Sequence, residues 1–442
     1  MTTPLPKRFP LNLYDELLLH LDQPASPLGL QMEIRVSGHL DEERLLHAIR
    51  SAARKHPMSR VSLVPHAAGD TAYFWQLHDA LEQVPLRIIQ CCDEESLHEA
   101  RSALHSLPIP LAEAPPFRCA LAHCGERGDF FMINMNSTVS DHIGLYRFML
   151  SVLRAYANIS DPVSGQDFLT ARQAGQEPDQ NLLQDGISRL TRVMEMLGST
   201  LNPPARIAGD GDEADQAGLG FMPVRFSGAQ TRRLQTLRHG GATINDLLAT
   251  TLHTAIDRWN TDHGQSTGRI SMVMPMNTRG EGWRDEIASN LCMWVNVVSR
   301  ANEREDFDSL LAAITRQTSN LKESVTMAVL VDLMRELRAL PAWIRQAVPA
   351  LLPLTGNRIG STTVLGNLGA IHSPLPAGSE LALSELWFSP PCRMPMGLSL
   401  GALTLDDHLH LSFRYHRQQF RRESAWAFAE VFLDILNQHP ST

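Results

Sequence analysis

The alternation of apolar and polar residues near the start of the chain predicts a strand followed by a helix. Apolar residues occupy every second position from Leu30 to Val36, as in a strand with one buried face. Gly38 ends the alternation. Asp41 then provides a helix cap, and apolar residues recur on one face until His56-Pro57 stops the helix. The segment therefore predicts a half-buried strand and an amphipathic helix.

Two pairs of alternating segments predict β-hairpins. The first pair covers 117–123 and 130–136 around a glycine-containing turn, and the second covers 398–405 and 408–415. Directly after the first hairpin the apolar period becomes helical, with Ser140 or Asp141 as the cap. Residues 136–142 are thus predicted to connect a strand to a helix. The free amides at such a helix start favour negative charge.

The second half of the chain repeats this mixture of strands and helices. Thr243 is the predicted cap of a helix that reaches Trp259, and a last helix is predicted from Glu423 to Leu436. Apolar strands are predicted over 269–276 and 291–299. Strands, hairpins and helices in both halves predict an α/β fold with mixed sheets.

One segment in the middle of the chain is poor in residues that could form a core. Asn202 to Gly220 contains Pro203-Pro204, several glycines and an acidic run, which predicts a linker or exposed crossover at 202–220. We therefore expect an N-terminal lobe at 1–201 and a C-terminal lobe at 221–442.

Composition narrows the class of protein. With 442 residues, two or three domains are expected. The hydrophobic share of 43% and charged share of 20% are typical of a soluble globular chain. No apolar run is long enough for a membrane span and no secretory signal is evident, so we expect a cytoplasmic protein without a transmembrane segment. A net charge of −9 argues against nucleic acid as a partner. The six cysteines are expected to be free thiols.

The segment from Asn136 to His142 resembles the His-His-x-x-x-Asp-Gly motif of the chloramphenicol acetyltransferase-like superfamily. That superfamily includes free-standing acyltransferases, wax-ester synthases and the condensation domains of nonribosomal peptide synthetases. With Asp141 as the anchor, Asn136 and Ser137 stand in place of the two histidines, and His142 in place of the glycine. Other stretches resemble family segments in order along nearly the whole chain, namely Pro10–Glu16, Ser37–Asp41, Gly241–Leu248, Pro275–Arg279, Ser289–Asn296 and Thr363–Gly369.

The resemblance implies a fold and a class of substrates. Two lobes would meet in a V around a central tunnel, with the motif at its centre. The donor would be a thioester, either acyl-CoA or an acyl carrier protein, and a small alcohol or amine would accept the acyl group. No bound cofactor and no metal are expected. The residues expected along the tunnel are Asn136, Asn290, Trp294, Asn296 and Asn367.

The resemblance also assigns roles that this chain can fill only in part. In the family the second motif histidine accepts the proton of the attacking group, which suits an imidazole. Ser137 is a poor base, although its hydroxyl could stabilise an oxyanion or simply line the tunnel. His142 is the nearest candidate for a displaced base, and a packed or solvent-facing histidine is the alternative. Asp141 is expected to pair with Arg279 and to shape the loop.

Three other patterns in the sequence are better explained by ordinary secondary structure than by a functional site. Ser399 lies in a G-x-S-x-G sequence, but in a predicted strand instead of the elbow that a hydrolase nucleophile requires. His408 and His410 share a strand face without an evident third metal ligand, so we expect exposed histidines. Arg414, Arg417, Arg421 and Arg422 are expected to form a solvated face of a terminal helix, and a patch that binds an acidic partner such as coenzyme A or a carrier protein is the alternative.

Three hypotheses about function therefore stay open. The first is an acyltransferase whose base is His142 or the substrate itself. The second is an enzyme of specialised metabolism that uses the same tunnel for a different reaction on a bound intermediate. The third is a catalytically silent scaffold that binds a carrier protein.

Overall fold

The computed structural model describes most of both halves of the chain. The described residues are 5–23, 27–66, 70–162, 168–173, 202–210, 217–237, 241–277, 279, 287, 290–320, 361–373 and 382–438.

The strands of the described chain are distributed over both halves. They are β1 (Arg8–Pro10), β2 (Gly29–Ser37), β3 (Val61–Leu63), β4 (Phe74–Leu77), β5 (Leu86–Gln90), β6 (Phe117–His123), β7 (Asp129–Asn136), β8 (Leu219–Arg225), β9 (Ile270–Asn277), β10 (Cys292–Ser299), β11 (Thr363–Ile371), β12 (Ala382–Ser389), β13 (Leu398–Leu405) and β14 (His408–His416).

The α-helices of the described chain lie between these strands and at its C-terminal end. They are α1 (Leu13–Leu21), α2 (Glu42–Lys55), α3 (Glu94–Ser106), α4 (His142–Tyr156), α5 (Phe168–Gln173), α6 (Gly228–Thr236), α7 (Ile244–Asp262), α8 (Phe307–Ser319) and α9 (Arg422–Gln438).

The first large sheet has five strands in the order β12-β2-β7-β6-β5. β2 and β7 pair antiparallel, with Gly29 opposite Asn136 and Val36 opposite Asp129. β6 and β7 form the predicted hairpin, whereas β5 lies parallel to β6. The sheet is therefore mixed, and the strand-to-helix connection after Asn136 lies beside the start of β2.

The edge strand of the first sheet comes from the second half of the sequence. β12 pairs antiparallel with β2, placing Phe388 opposite Met32 and Trp387 opposite Glu33. β12 also contacts β13 and β14 of the second sheet. One strand therefore joins the two sheets, a connection that the sequence pattern does not predict.

The second large sheet has six strands in the order β10-β9-β11-β13-β14-β8. β11 runs parallel to both β9 and β13, and the remaining neighbours are antiparallel. A separate three-stranded sheet has the order β1-β4-β3. These mixed sheets, covered by helices, confirm the predicted α/β class.

Each large sheet has its own hydrophobic core. In the first, α2 and α4 cover β2, β6 and β7, burying residues such as Ile49 and Phe148. In the second, α7 and α9 pack together over the sheet and bury residues such as Ile256 and Phe432. Burial of a large apolar side chain contributes about 1.5–3 kcal/mol, so each core is a substantial source of stability.

Helix caps occur where the sequence predicts them. The Asp41 side chain accepts from the Arg44 amide, and the Thr243 side chain accepts from the Asp246 amide. These contacts satisfy amides that have no partner inside the helix. The starts of α2 and α7 are therefore confirmed.

Two predictions about exposure are wrong because residues of the first sheet cover the face of β14 that carries His410 and Arg414. His410 is buried, and its ring packs edge-on against Trp387 at 4.6 Å. Arg414 is also buried on β14, not on a helix surface, and its Nη1 donates to the Gly29 carbonyl at 2.7 Å. Ser399 lies within β13, as expected. Alternation along a strand predicts an exposed face only where one face of the sheet is open to water.

The described part of the central segment packs against the second core. Ile207 and Ala208 are buried, and the Ala208 carbonyl accepts from Trp259 Nε1 at 2.8 Å. Residues 211–216 lie outside the described residues, and the division into two lobes stays a prediction. All six cysteines are free thiols. Across the described chain, no helix combines the length and the apolar character that a membrane crossing demands.

Candidate functional site

The connection between β7 and α4 has a capped helix start and a tightly packed first turn. Asp141 has an extended backbone, and its Oδ1 accepts from the Gly144 amide at 2.9 Å. A Cβ at Gly144 would lie 2.2 Å from Ser140 Oγ, so only glycine fits this first turn without a shift. Residues 137–141 therefore form a defined loop that leads into the helix.

Asp141 anchors this loop to the second half of the chain. Arg279 donates from both terminal nitrogens to the two Asp141 oxygens, each at 2.7 Å. The Leu291 amide donates to the same carboxylate at 2.9 Å. Burial alone would raise the pKa of Asp141, but the Arg279 guanidinium and the amide donors outweigh it and hold this pKa below its ordinary value. The carboxylate is thus ionised, and both of its oxygens accept hydrogen bonds from within the protein.

The side chain of Asn136 holds the start of the loop through three hydrogen bonds. Its Nδ2 donates to Asp22 Oδ2 at 2.7 Å and to the Ile109 carbonyl at 3.2 Å, and its Oδ1 accepts from the Thr138 amide at 2.9 Å. The side chain is buried. These bonds use both its donor and its acceptor groups to position the backbone of the loop.

The hydroxyl proton of Ser137 is already used in a hydrogen bond. Its Oγ donates to the Leu28 carbonyl at 2.6 Å, and its own carbonyl accepts from Asn290 Nδ2 at 2.6 Å. In the described structure no imidazole or carboxylate accepts from this hydroxyl, so it lacks the base that an activated nucleophile requires. Its unused acceptor capacity still faces a cavity.

His142, the first residue of α4, has one ring nitrogen fixed by the strand from the other half of the chain. Its Nε2 lies 3.2 Å from the Ser389 carbonyl of β12, and its ring packs edge-on against Phe388 at 5.0 Å. A carbonyl only accepts, so Nε2 carries the proton in this bond and Nδ1 keeps a free lone pair. Burial lowers the pKa of His142 to about 4. The imidazole is therefore neutral at neutral pH, with Nδ1 as its acceptor atom.

Two cavities meet at this loop. The larger contains about 780 Å³ of space not filled by protein atoms and the smaller about 380 Å³, and both volumes include open solvent. Both are lined by Asp141, His142, Pro275 and Cys292. The two cavities therefore share the residues around Asp141 and His142.

The other predicted tunnel residues are distributed unevenly between these cavities. Asn290 and Trp294 line the larger cavity, and Asn367 lines the smaller. Neither Asn136 nor Asn296 is among the lining residues, and Asn296 Oδ1 instead accepts from Ser361 Oγ at 3.5 Å. The structure thus brings Ser137, His142, Asn290 and Trp294 to one cavity.

Two of the lining residues that were not predicted as site residues carry a reactive or charged group, namely Cys292 and Arg393. Cys292 shares the strand face of Trp294, so the alternation of β10 was a usable signal for it. Burial raises the pKa of the Cys292 thiol, which keeps it protonated and unreactive. Arg393 lies in the connection between β12 and β13, where no periodic pattern marks it.

One cluster among the described residues could hold a metal ion, but it is distant from this site. His39, His123 and Asp129 place their ligand atoms within 4.8 Å of one another. Asp129 begins β7 and Asn136 ends it, a separation of about 24 Å at 3.4 Å per residue. The Asp129 carboxylate already accepts from the Leu40 amide at 2.7 Å and contacts both imidazoles. A metal there would take no part in chemistry at His142.

Solved structures share this architecture over their whole length. The epimerization domain from the third module of tyrocidine synthetase B matches with a TM-score of 0.64 and 15% identity, covering 99% of this chain and 98% of that chain. The condensation domain from Monacolin K polyketide synthase MokA matches with a TM-score of 0.63 and 15% identity, covering 98% and 97%. SgcC5 from Streptomyces globisporus matches with a TM-score of 0.62 and 16% identity, covering 97% and 98%.

The chain therefore has the chloramphenicol acetyltransferase-like fold of condensation and epimerization domains, as the sequence predicts. Among proteins compared by sequence, "Uncharacterized protein Rv2305" of Mycobacterium tuberculosis is 29% identical over 428 residues, which cover 96% of this chain and 98% of that protein. No protein-family model matches the chain.

Proposed function

We propose that the protein is a cytoplasmic acyltransferase of specialised metabolism that transfers an acyl group from a thioester to an amine or alcohol, with His142 as the base. The thioester would be acyl-CoA or an acyl carrier protein. The observation that carries the proposal is the placement of His142. It is the one imidazole among the described residues that line the two cavities, and its Nδ1 is free of any intramolecular hydrogen bond in the described structure.

The reaction would follow from this geometry. The acceptor attacks the thioester carbonyl and gives its proton to His142 Nδ1, while Nε2–H stays bonded to the Ser389 carbonyl. The tetrahedral intermediate then collapses, the carbon–sulfur bond breaks, and the leaving thiolate takes the proton from the imidazolium. The Ser389 carbonyl orients the ring and stabilises its positive charge during transfer, as a fixed acceptor does for other catalytic histidines.

The low pKa of His142 favours one kind of acceptor. A base with a pKa of about 4 is fully available at neutral pH but has little driving force to remove an alcohol proton. An amine attacks without prior deprotonation, and the proton on the resulting ammonium-like nitrogen is far easier to remove. We therefore propose an amine as the preferred acceptor.

The test is thiol release by the purified protein with acyl-CoA and acyl-carrier donors, in the presence of matched amine and alcohol acceptors. We expect amide formation that His142→Gln reduces at least about a hundredfold, in line with typical contributions of general bases. His47→Gln is the matched control, because His47 is exposed on α2. Absence of product with every donor and acceptor pair would overturn the proposal.

A second candidate is a silent protein that binds carrier proteins. The observation that favours it is the position of the missing family histidine, where the Ser137 hydroxyl is occupied by the Leu28 carbonyl. Binding of an acylated carrier protein without turnover, unchanged in His142→Gln, would support this candidate over the acyltransferase.

A further inference from the structure

The larger cavity has a single cationic residue in its wall. Arg393 comes from the connection between β12 and β13, together with Pro390, Pro391 and Met396. Among the described lining residues it is the one arginine or lysine. The acidic residue of the same wall, Asp141, is neutralised by Arg279. From the described residues, the cavity therefore offers one positive charge and no unpaired negative charge.

Arg393 has no partner of its own among the described residues. No carboxylate of the described residues lies within ion-pair distance of its guanidinium, and its Nε is buried without a hydrogen-bond partner. Asp22 acts on it at longer range, but the Asp22 oxygens accept from the Leu28 amide at 2.8 Å and from Asn136 at 2.7 Å. Burial, opposed by the charge of Asp22, lowers the pKa of Arg393, which still leaves it protonated at neutral pH.

Arg393 is only half-buried, but its Nε is buried without a hydrogen-bond partner. Partial burial of a cation without a paired anion is unfavourable, and an unsatisfied buried donor adds to that cost. The rest of the wall is mostly apolar, with contributions from Tyr14, Leu18, Leu28, Leu30, Val273, Trp294, Val364 and Met396. A ligand that suits this cavity thus has an apolar body and one anionic group.

We propose that Arg393 binds the carboxylate of a substrate whose apolar part fills the larger cavity. The planar guanidinium matches a carboxylate in a two-bond geometry. One cation neutralises a monoanion, whereas a phosphate dianion would remain half uncompensated in an apolar wall. The inference rests on the proposed function only in assigning this carboxylate to a substrate of acyl transfer, since binding itself requires no turnover.

The test compares a fluorescent carboxylic acid with its methyl ester, for example 11-(dansylamino)undecanoic acid. We expect the wild-type protein to bind the acid about tenfold or more tightly than the ester, because a hydrogen bond to a charged group is lost in the ester. Arg393→Met is expected to bind both with equal affinity, and Arg393→Lys to keep part of the preference. Arg225→Met, which removes an exposed arginine of β8, is the matched control and should behave as wild type.

Two further measurements define the site and the ligand. Met396→Trp narrows the same cavity and is expected to weaken binding of acid and ester together. Inorganic phosphate is expected not to displace the acid. Equal affinity of the wild type for acid and ester, a preference that persists in Arg393→Met, or full displacement by phosphate would each overturn the proposal.

These results are separable from those on acyl transfer. A preference for the acid without any turnover would support the carboxylate site and contradict the acyltransferase. Turnover without a preference for the acid would do the reverse.

Discussion

Removal of the Arg279 side chain should destabilise the protein in a manner that depends on pH. Arg279→Met keeps most of the volume but leaves Asp141 buried, with only the Gly144 and Leu291 amides as donors. Loss of one partner of a buried ion pair costs about 3–5 kcal/mol. The carboxyl can escape part of this cost by taking up a proton, so its pKa in the folded variant rises above the unfolded value of ~3.9.

Protonation of Asp141 sets an upper limit on the unfolding free energy that Arg279→Met can lose. Neutralising a carboxyl of pKa ~3.9 costs about 1.36 kcal/mol per pH unit above that value, hence about 4.2 kcal/mol at pH 7 and about 1.5 kcal/mol at pH 5. A group whose folded pKa is raised loses stability as pH rises. The loss caused by Arg279→Met should therefore shrink by up to about 2.7 kcal/mol between pH 7 and pH 5.

The assay is urea-induced unfolding of wild type and variant at both pH values. Groups that titrate alike in both proteins cancel in the difference. The double variant Asp141→Asn/Arg279→Met has no carboxylate at this position. Its free energy of unfolding at pH 7 should therefore fall less below that of the wild type than the free energy of Arg279→Met does. If Arg279→Met lost the same free energy at pH 7 and pH 5, or lost none, the account of a buried charge pair would be refuted.

Three more predictions follow from the hydrogen bonds and pKa values of single side chains. The rate profile of kcat/KM should lack an acid limb near pH 6.5, because the pKa of His142 is lowered to about 4; a limb at 6.5 would exclude it as the base. Ser137→Ala should cost about 1 kcal/mol in urea unfolding and leave turnover within about threefold, whereas a hundredfold slower rate would place the hydroxyl in the reaction. Burial lowers the pKa of His56 and of His253 to about 3, below the unfolded ~6.5, so stability should fall as pH drops below 6.5. At pH 5 these two histidines together should lower the free energy of unfolding by about 4 kcal/mol, and His56→Gln should halve this decrease.

The repeating elements of the fold were predictable because local patterns specify them. Alternation identified β2, the β6–β7 hairpin and the β13–β14 hairpin, and capping residues marked the starts of α2 and α7. The burial of His410 and Arg414 was not predictable. It depends on the contacts of this face of β14 with Trp387 and with the Gly29 carbonyl, and those contacts exist only in the assembled fold.

Of the contacts that build the site, only the ion pair between Asp141 and Arg279 was predicted from the sequence. The resemblance to a known motif brought Asp141 and Arg279 together across 138 positions of sequence. The orientation of His142 depends on Ser389, which reaches the site only because β12 joins the first sheet. Arg393 lies in a connection without periodicity, so neither its place in the cavity nor its lack of a partner could be deduced from sequence.

Because β12 belongs to the first sheet, the site can form only after the ribosome has synthesised β12. β2 ends at Ser37 and β12 at Ser389, so 352 residues separate the two strand ends. At roughly 5–20 residues per second, the ribosome needs about 18–70 s to cover that interval. Throughout it, one edge of β2 lacks its native neighbour and is open to pairing with another chain. The nascent protein must therefore keep that edge covered or chaperoned before His142 acquires its partner.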